Sequence, residues 1–160
     1  MHHRVVPDTD RLSLRERSFL AAARRAILAT VAPDGAPRLV PICFVVADGD
    51  GGGLVVHTPL DEKPKRVADP RELERVRDLA RNPTVALLVD RWSEDWSELG
   101  WLRLTGRAEL LAPAGPPADA HAAAVAALRA KYPQYASHRL DERPLIRIVI
   151  DRTRSWGDLG

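Results

Sequence analysis

Three apolar runs follow one another between Ala26 and Thr58, and nothing between them is long enough to be a helix. They span Ala26 to Val31, Arg38 to Ala47 and Leu54 to Thr58. The first gap is Pro33-Asp34-Gly35. Here proline presets its own backbone angle and glycine accepts a positive one, so the chain turns. The second gap, Asp48 to Gly53, holds four glycines and reads as a hairpin loop. Strands joined this tightly pair antiparallel, since a parallel neighbour needs a crossover of about a dozen residues. Pro41 inside the second run places it at a sheet edge or a bulge, because proline cannot donate to a ladder.

The remaining elements fit around this meander. Ser13 and Glu16 form a capping box that opens a helix with Leu14, Phe19, Leu20 and Ala23 on its inner side. Asp69, Pro70 and Glu72 open a second helix reaching about Arg81, with Leu73, Val76 and Leu79 as its apolar stripe. Asn82-Pro83 stops it. Thr84 to Val89 and Trp101 to Leu111 read as strands, and the second alternates. In it Trp101, Arg103, Thr105, Arg107 and Glu109 fall on one face, with Leu102, Leu104, Ala108 and Leu110 on the other. An alanine-rich helix, Ala118 to Lys131, precedes a last strand from Leu145 to Asp151 with Ile146, Ile148 and Ile150 inward. Residues 1–12 are a polar lead-in and 152–157 a tail. The order α-β-β-β-α-β-β-α-β is not the alternation of a doubly wound fold. It predicts one mainly β domain of six antiparallel strands over the 160 residues, and closure into a small barrel removes the sheet edges.

Composition excludes several function classes. Lys+Arg number 24 against 22 Asp+Glu, a net charge of +2, so the chain is no strongly basic nucleic-acid binder. No apolar run approaches the roughly 20 residues of a membrane span, and Met1-His2-His3-Arg4 lacks the apolar stretch of a leader. The expectation is a cytoplasmic protein without nucleic-acid or membrane partners. Cys43 is the one cysteine, which excludes an internal disulfide and a cysteine-based zinc site. The histidines have no metal spacing, and GxGxxG before a helix, Walker, GxSxG and HExxH motifs are absent. With no evident nucleophile or metal, any catalysis belongs to a cofactor.

Three constellations are candidates for binding one. His57-Thr58, followed by Lys63, Lys65 and Arg66, offers a hydroxyl and localised positive charge for a phosphate. Only three of the 24 basic residues are lysines, and two of them stand here. The plain alternative is a solvated loop neutralised by Asp61 and Glu62. The arginines of the second helix read mostly as salt-bridged surface, with Arg75 kept apart from them. Trp92, Trp96 and Trp101 cluster within ten residues, joined by Trp156 near the end. They are ring-stacking walls, or else core and dimer packing.

Ala29 to Pro41 resembles the opening hairpin of the pyridoxamine 5'-phosphate oxidase-like split-barrel flavoproteins, where "T-x-x-x-D-G-x-P" precedes a proline-bearing strand. Arg75 to Leu87 resembles the family's "K-x-x-N-L-x-x-N-P-x-V-x-L", and Gly106-Arg107-Ala108-Glu109 its "G-x-A-x" strand. The resemblance runs from about residue 16 to 111, with a weaker match at the last strand and Trp156. The stretches His57 to Lys65 and Asp90 to Trp96 are most similar to the actinobacterial branch that uses the deazaflavin coenzyme F420.

The resemblance implies a six-stranded split barrel and a homodimer with cofactors in grooves at the interface. It implies that Thr58 meets the cofactor phosphate and that Lys63 and Lys65 close over it. Val40, Pro41 and Ile42 would line the ring through their backbone. Arg75 stands where a lysine is usual, and Asp78 where an asparagine is usual. Trp101, Arg103 and Trp156 would come from the partner or the C-terminal end. The activity implied is hydride transfer between F420 and a small organic acceptor, with His57 as a proton donor to test. FMN, as in the oxidase branch, is the alternative cofactor. A carrier of flavin or F420, or a haem protein with His57 as axial ligand, is the non-enzymatic alternative.

Overall fold

The computed structural model describes residues 12–60 and 73–160. Its helices are α1 (Leu14–Ala22), α2 (Glu74–Arg81) and α3 (Ala120–Lys131). Its strands are β1 (Ala26–Val31), β2 (Pro37–Ile42), β3 (Val45–Asp48), β4 (Leu54–Pro59), β5 (Thr84–Arg91), β6 (Gly100–Leu111) and β7 (Leu145–Gly157). They form one sheet in the order β2-β1-β5-β6-β7-β4-β3, with every pairing antiparallel.

The strand count is seven where six were expected. The run Arg38 to Ala47 is two strands, broken at Cys43-Phe44. These two consecutive strands are the two ends of the ladder, so the chain passes from one edge to the other across a two-residue corner. A tight corner leaves backbone groups without ladder partners, and such groups need others when buried. The Phe44 N–H donates to the Tyr132 hydroxyl at 3.1 Å, and the Lys131 ammonium donates to the Phe44 carbonyl at 3.0 Å. The same hydroxyl lies 3.0 Å from the Arg24 carbonyl, and the Arg24 guanidinium donates to the Lys131 carbonyl at 2.7 Å. One knot thus ties the start of β1, the corner and the end of α3. Burial, with the nearby Arg24 charge, pushes the Lys131 ammonium down to about 8.

β7 is longer than predicted, since residues 152–157 continue it. The register with β6 shifts between Thr105 and Gly106, which inserts Asp151 and reverses the alternation beyond it. That reversal made the segment read as a tail. A Cβ at Gly106 would collide with the Val149 carbonyl, so glycine is required at this shift of register.

The capping box forms as expected, with the Glu16 N–H donating to Ser13 Oγ at 3.1 Å and the Ser13 N–H to Glu16 Oε2 at 2.8 Å. Glu16 also accepts from Ser155 Oγ at 2.6 Å, which seats α1 against β7. Leu20 is buried, whereas Leu14, expected inside, is 87% exposed. The box of Asp69 and Glu72 lies outside the described residues, and α2 begins after Leu73.

The interior of the sheet holds one core, with Leu28, Val56, Leu87, Leu102, Leu104, Ile146 and Ile148 buried against Val76 and Leu79 of α2. Each such aliphatic side chain contributes about 1.5–3 kcal/mol on burial. A second core lies on the outer side of the wall, where α3 packs Val125 and Leu128 over Val45, Leu111 and Leu145. Among the described residues α3 covers that part of the outer wall, while Leu39 of β2 and Leu88 of β5 stay exposed on the rest of it.

Replacing Tyr132 by Phe removes the hydroxyl from the corner and leaves the Phe44 N–H orphaned. The expected loss is about 1–3 kcal/mol in urea melts. An unchanged midpoint would show that the corner does not depend on Tyr132.

Candidate functional site

Alternation along each strand decides where the candidate residues go. On β2, Arg38, Val40 and Ile42 pair across from Thr30, Leu28 and Ala26 of β1. These point to the inner side, where Ile42 is core. Pro41 and Leu39 point outward.

α2 lies over the turn end of this hairpin, beside the Thr30–Arg38 pair. Between them is a groove of about 300 Å³ lined by Thr30, Arg38, Leu39, Val40, Leu73, Glu74, Arg75 and Asp78. Val40 and Arg75, both predicted, meet here. Thr30 and Arg38 were missed as site residues. The signal was available: Thr30 is the threonine of the hairpin motif, and Arg38 shares a strand face with Val40, two residues on.

Asp78, the residue that departs from the family's asparagine, is buried to 1% exposure at the back of this groove. Its carboxylate lies 3.6 Å from Nε of Arg38, and Arg38 also contacts Glu74. A buried carboxylate is tolerated only with a counter-charge. Arg38 supplies it, so the anion that would repel a phosphate is neutralised inside the protein. Arg75 is the second guanidinium at the groove.

The other predicted residues go elsewhere. Thr58 points inward on β4, opposite Ile146. His57, its neighbour, points to the opposite face, opposite Arg147 and beneath α3. Burial, then Arg147 and His121, push its pKa down to about 4, so the ring is neutral at pH 7. Lys63 and Lys65 lie outside the described residues.

Trp101 and Trp156 stand directly opposite each other on β6 and β7, with Arg103 opposite Arg154 in the next outward pair. The Arg103 guanidinium sits 5.7 Å from the Trp101 ring centroid, a cation–π distance. Beside them, Arg103, Thr105, Arg152, Thr153 and Arg154 line a cleft of about 340 Å³. This ribbon continues across the bare outer wall, where Leu88 pairs with Arg103 and Ile27 with Leu88. Leu39 is 69% exposed, Trp156 54% and Leu88 40%. Trp92 and Trp96 are exposed on the loop after β5. Among the described residues no cluster of His, Cys, Asp and Glu could hold a metal ion, and no helix is long and apolar enough to cross a membrane.

The sequence profile of the pyridoxamine 5'-phosphate oxidase family matches residues 15–157. The chain belongs to that family. Among curated proteins no match is found. Solved structures share the fold. A conserved hypothetical protein of Mycobacterium tuberculosis is 24% identical, with a TM-score of 0.67 over 94% of this chain and 88% of that one. The heme storage protein HutZ of Vibrio cholerae is 14% identical, with a TM-score of 0.61 over 92% and 94%. A protein described as an F420 reductase is 22% identical, with a TM-score of 0.55 over 88% and 94%. At these identities the likeness is one of fold. Proteins that share this fold are thus described variously as a heme storage protein and as an F420 reductase.

Removing Arg38 (Arg38→Met) strands the Asp78 carboxylate. A loss of up to about 3 kcal/mol is expected in urea melts at pH 7, and adding Asp78→Asn should recover most of it. A single variant as stable as the parent, or a double variant no better than the single, would contradict this pairing.

Proposed function

We propose that this chain is a coenzyme F420-dependent oxidoreductase acting as a homodimer on a small organic acceptor. The reading rests on how the predicted cofactor residues divide. Val40 and Arg75 line the groove under α2, while Trp101, Arg103 and Trp156 stand together on the ribbon. A second copy, related by a two-fold axis, would lay its ribbon over the groove of the first, and each chain would complete the other's site. The bare outer wall supports this, because exposed apolar side chains gathered on one face mark an interaction surface. Leu39, Leu88 and Trp156 are such a set.

The residues present fit an anionic cofactor with a flat ring. Arg75 would take the phosphate, with the loop of Lys63 and Lys65 as the further donors implied by the family pattern; Thr58, buried on β4, does not line the groove. The β2 backbone at Val40, Pro41 and Ile42 would support the ring. Arg103, Arg152 and Arg154 of the ribbon have no carboxylate within salt-bridge distance among the described residues, which suits a negatively charged ligand. The resemblance of residues 57–65 and 90–96 favours F420 over FMN, and an F420 reductase shares the fold.

When bound, the reduced deazaflavin supplies a hydride to an electron-poor C=C or C=N acceptor. The chain's part is to hold the cofactor, expose one ring face and exclude water from it. The groove offers no unpaired carboxylic acid among the described residues, since Asp78 is engaged by Arg38. His57 lies beneath α3 and lines a different cavity. Solvent is therefore the proton source for the acceptor.

Titration of the apo-protein with F420 and with FMN, side by side and followed by fluorescence, tests the choice of cofactor. Tighter binding of F420 is expected, with sedimentation giving a dimer. A yellow preparation that releases FMN would move the protein to the oxidase branch. A monomer that binds F420 fully would refute the shared site.

A further inference from the structure

A second cavity lies on the other side of the sheet wall and shares no lining residue with the groove under α2. It has a volume of about 240 Å³. Its wall comes from Val45 and Ala47 of β3, Val55 and His57 of β4, and Arg147 of β7. Its roof is α3, which presents Ala120, Ala123, Ala124 and Ala127 where larger side chains would fill the space. It opens to solvent between the Asp48–Asp50 turn and Pro117, where the side chains are exposed.

The polar groups inside are few and distinct. His57 is only 4% exposed, and neither ring nitrogen has a hydrogen-bond partner among the described residues. A buried polar group without a partner is costly, and natural proteins keep few of them. Its neighbour His121 differs, since Nε2 is 2.7 Å from the Arg143 carbonyl. Arg147 faces His57 across the ladder and is ion-paired with Glu109, Nη1 donating to Oε1 at 2.8 Å. The guanidinium has further N–H donors. The cavity thus sets an unsatisfied imidazole beside the spare N–H donors of an ion-paired guanidinium, at one end of an alanine- and valine-lined pocket.

We propose that this cavity binds a small monocarboxylate with a compact apolar body. The carboxylate accepts from the His57 N–H and the Arg147 guanidinium, and the apolar part lies against Val45, Val55 and the α3 alanines. A multiply charged anion is disfavoured, because most of the lining cannot solvate it. The size suits a ligand of the benzoate class, smaller than the contents of ordinary drug-sized pockets, which run from about 300 Å³ upward.

Titration with benzoate, with benzamide as the uncharged control, tests the proposal by nuclear magnetic resonance of the imidazole side chains. Benzoate is expected to shift the His57 ring signals and leave those of His138 in place. His57→Leu and, separately, Ala127→Leu, which fills the roof, should each weaken benzoate at least about tenfold. Ala127 is on the partly exposed side of α3, so that variant keeps the test alive if His57→Leu does not fold. No benzoate binding, equal binding of benzamide, or unchanged affinity in Ala127→Leu would each overturn the proposal. Cofactor titration of the same variants separates this site from the groove, because their F420 affinity should be unaltered.

Discussion

Seven strands whose ladder begins with β2 and ends with β3 can close only by passing the chain from one edge to the other, and it does so at Cys43-Phe44. The backbone of Phe44 gives up ladder partners there and takes Tyr132 and Lys131 instead. Both residues stand at the C-terminal end of α3, so the corner also fixes where α3 lies. α3 is held along β3 and the paired ends of β6 and β7, where it buries Val45, Leu111 and Leu145. Among the described residues the rest of the outer wall keeps Leu39 and Leu88 exposed. Closure, the second core and the exposed face all follow from one unsatisfied stretch of backbone.

Function is distributed by the same geometry. The inner sides of β1 and β2 meet α2 and make a groove with two guanidiniums and a neutralised carboxylate. The bare wall carries tryptophan and arginine pairs in register. Neither surface alone encloses a flat anionic ring system. Face to face in a symmetric pair of chains they would, and in that reading the homodimer is the catalytic unit. Where α3 does cover the wall, its small side chains leave a pocket around His57, chemically unlike the groove.

Much of this was legible in the residues. The Pro33-Asp34-Gly35 turn fixed the first hairpin, because its conformational demands are local. The Ser13–Glu16 box and the Val76–Leu79 stripe did the same for the helices. Alternation on β6 put Trp101 and Arg103 on one outward face, and the structure places them there. The break at Phe44 was hidden because no glycine or proline marks it; its cause is Tyr132, 88 residues away. The length of β7 was hidden by an inserted residue that reverses the pattern. The pairing of Arg38 with Asp78 joins a strand to a helix, and neither residue predicts the other. His57 and Thr58 were grouped by adjacency, whereas strand alternation sends neighbours to opposite faces.

The proposed site is made by two chains, and subunit complementation tests that directly. Arg75→Ala disables the groove and Arg103→Ala disables the ribbon, each in its own homodimer. Refolding the two variants together in equal amounts makes half of the dimers mixed, and each mixed dimer has one intact site. F420 binding should return to about a quarter of the parental site number. No recovery in the refolded mixture, while each variant still dimerises, would contradict the shared site.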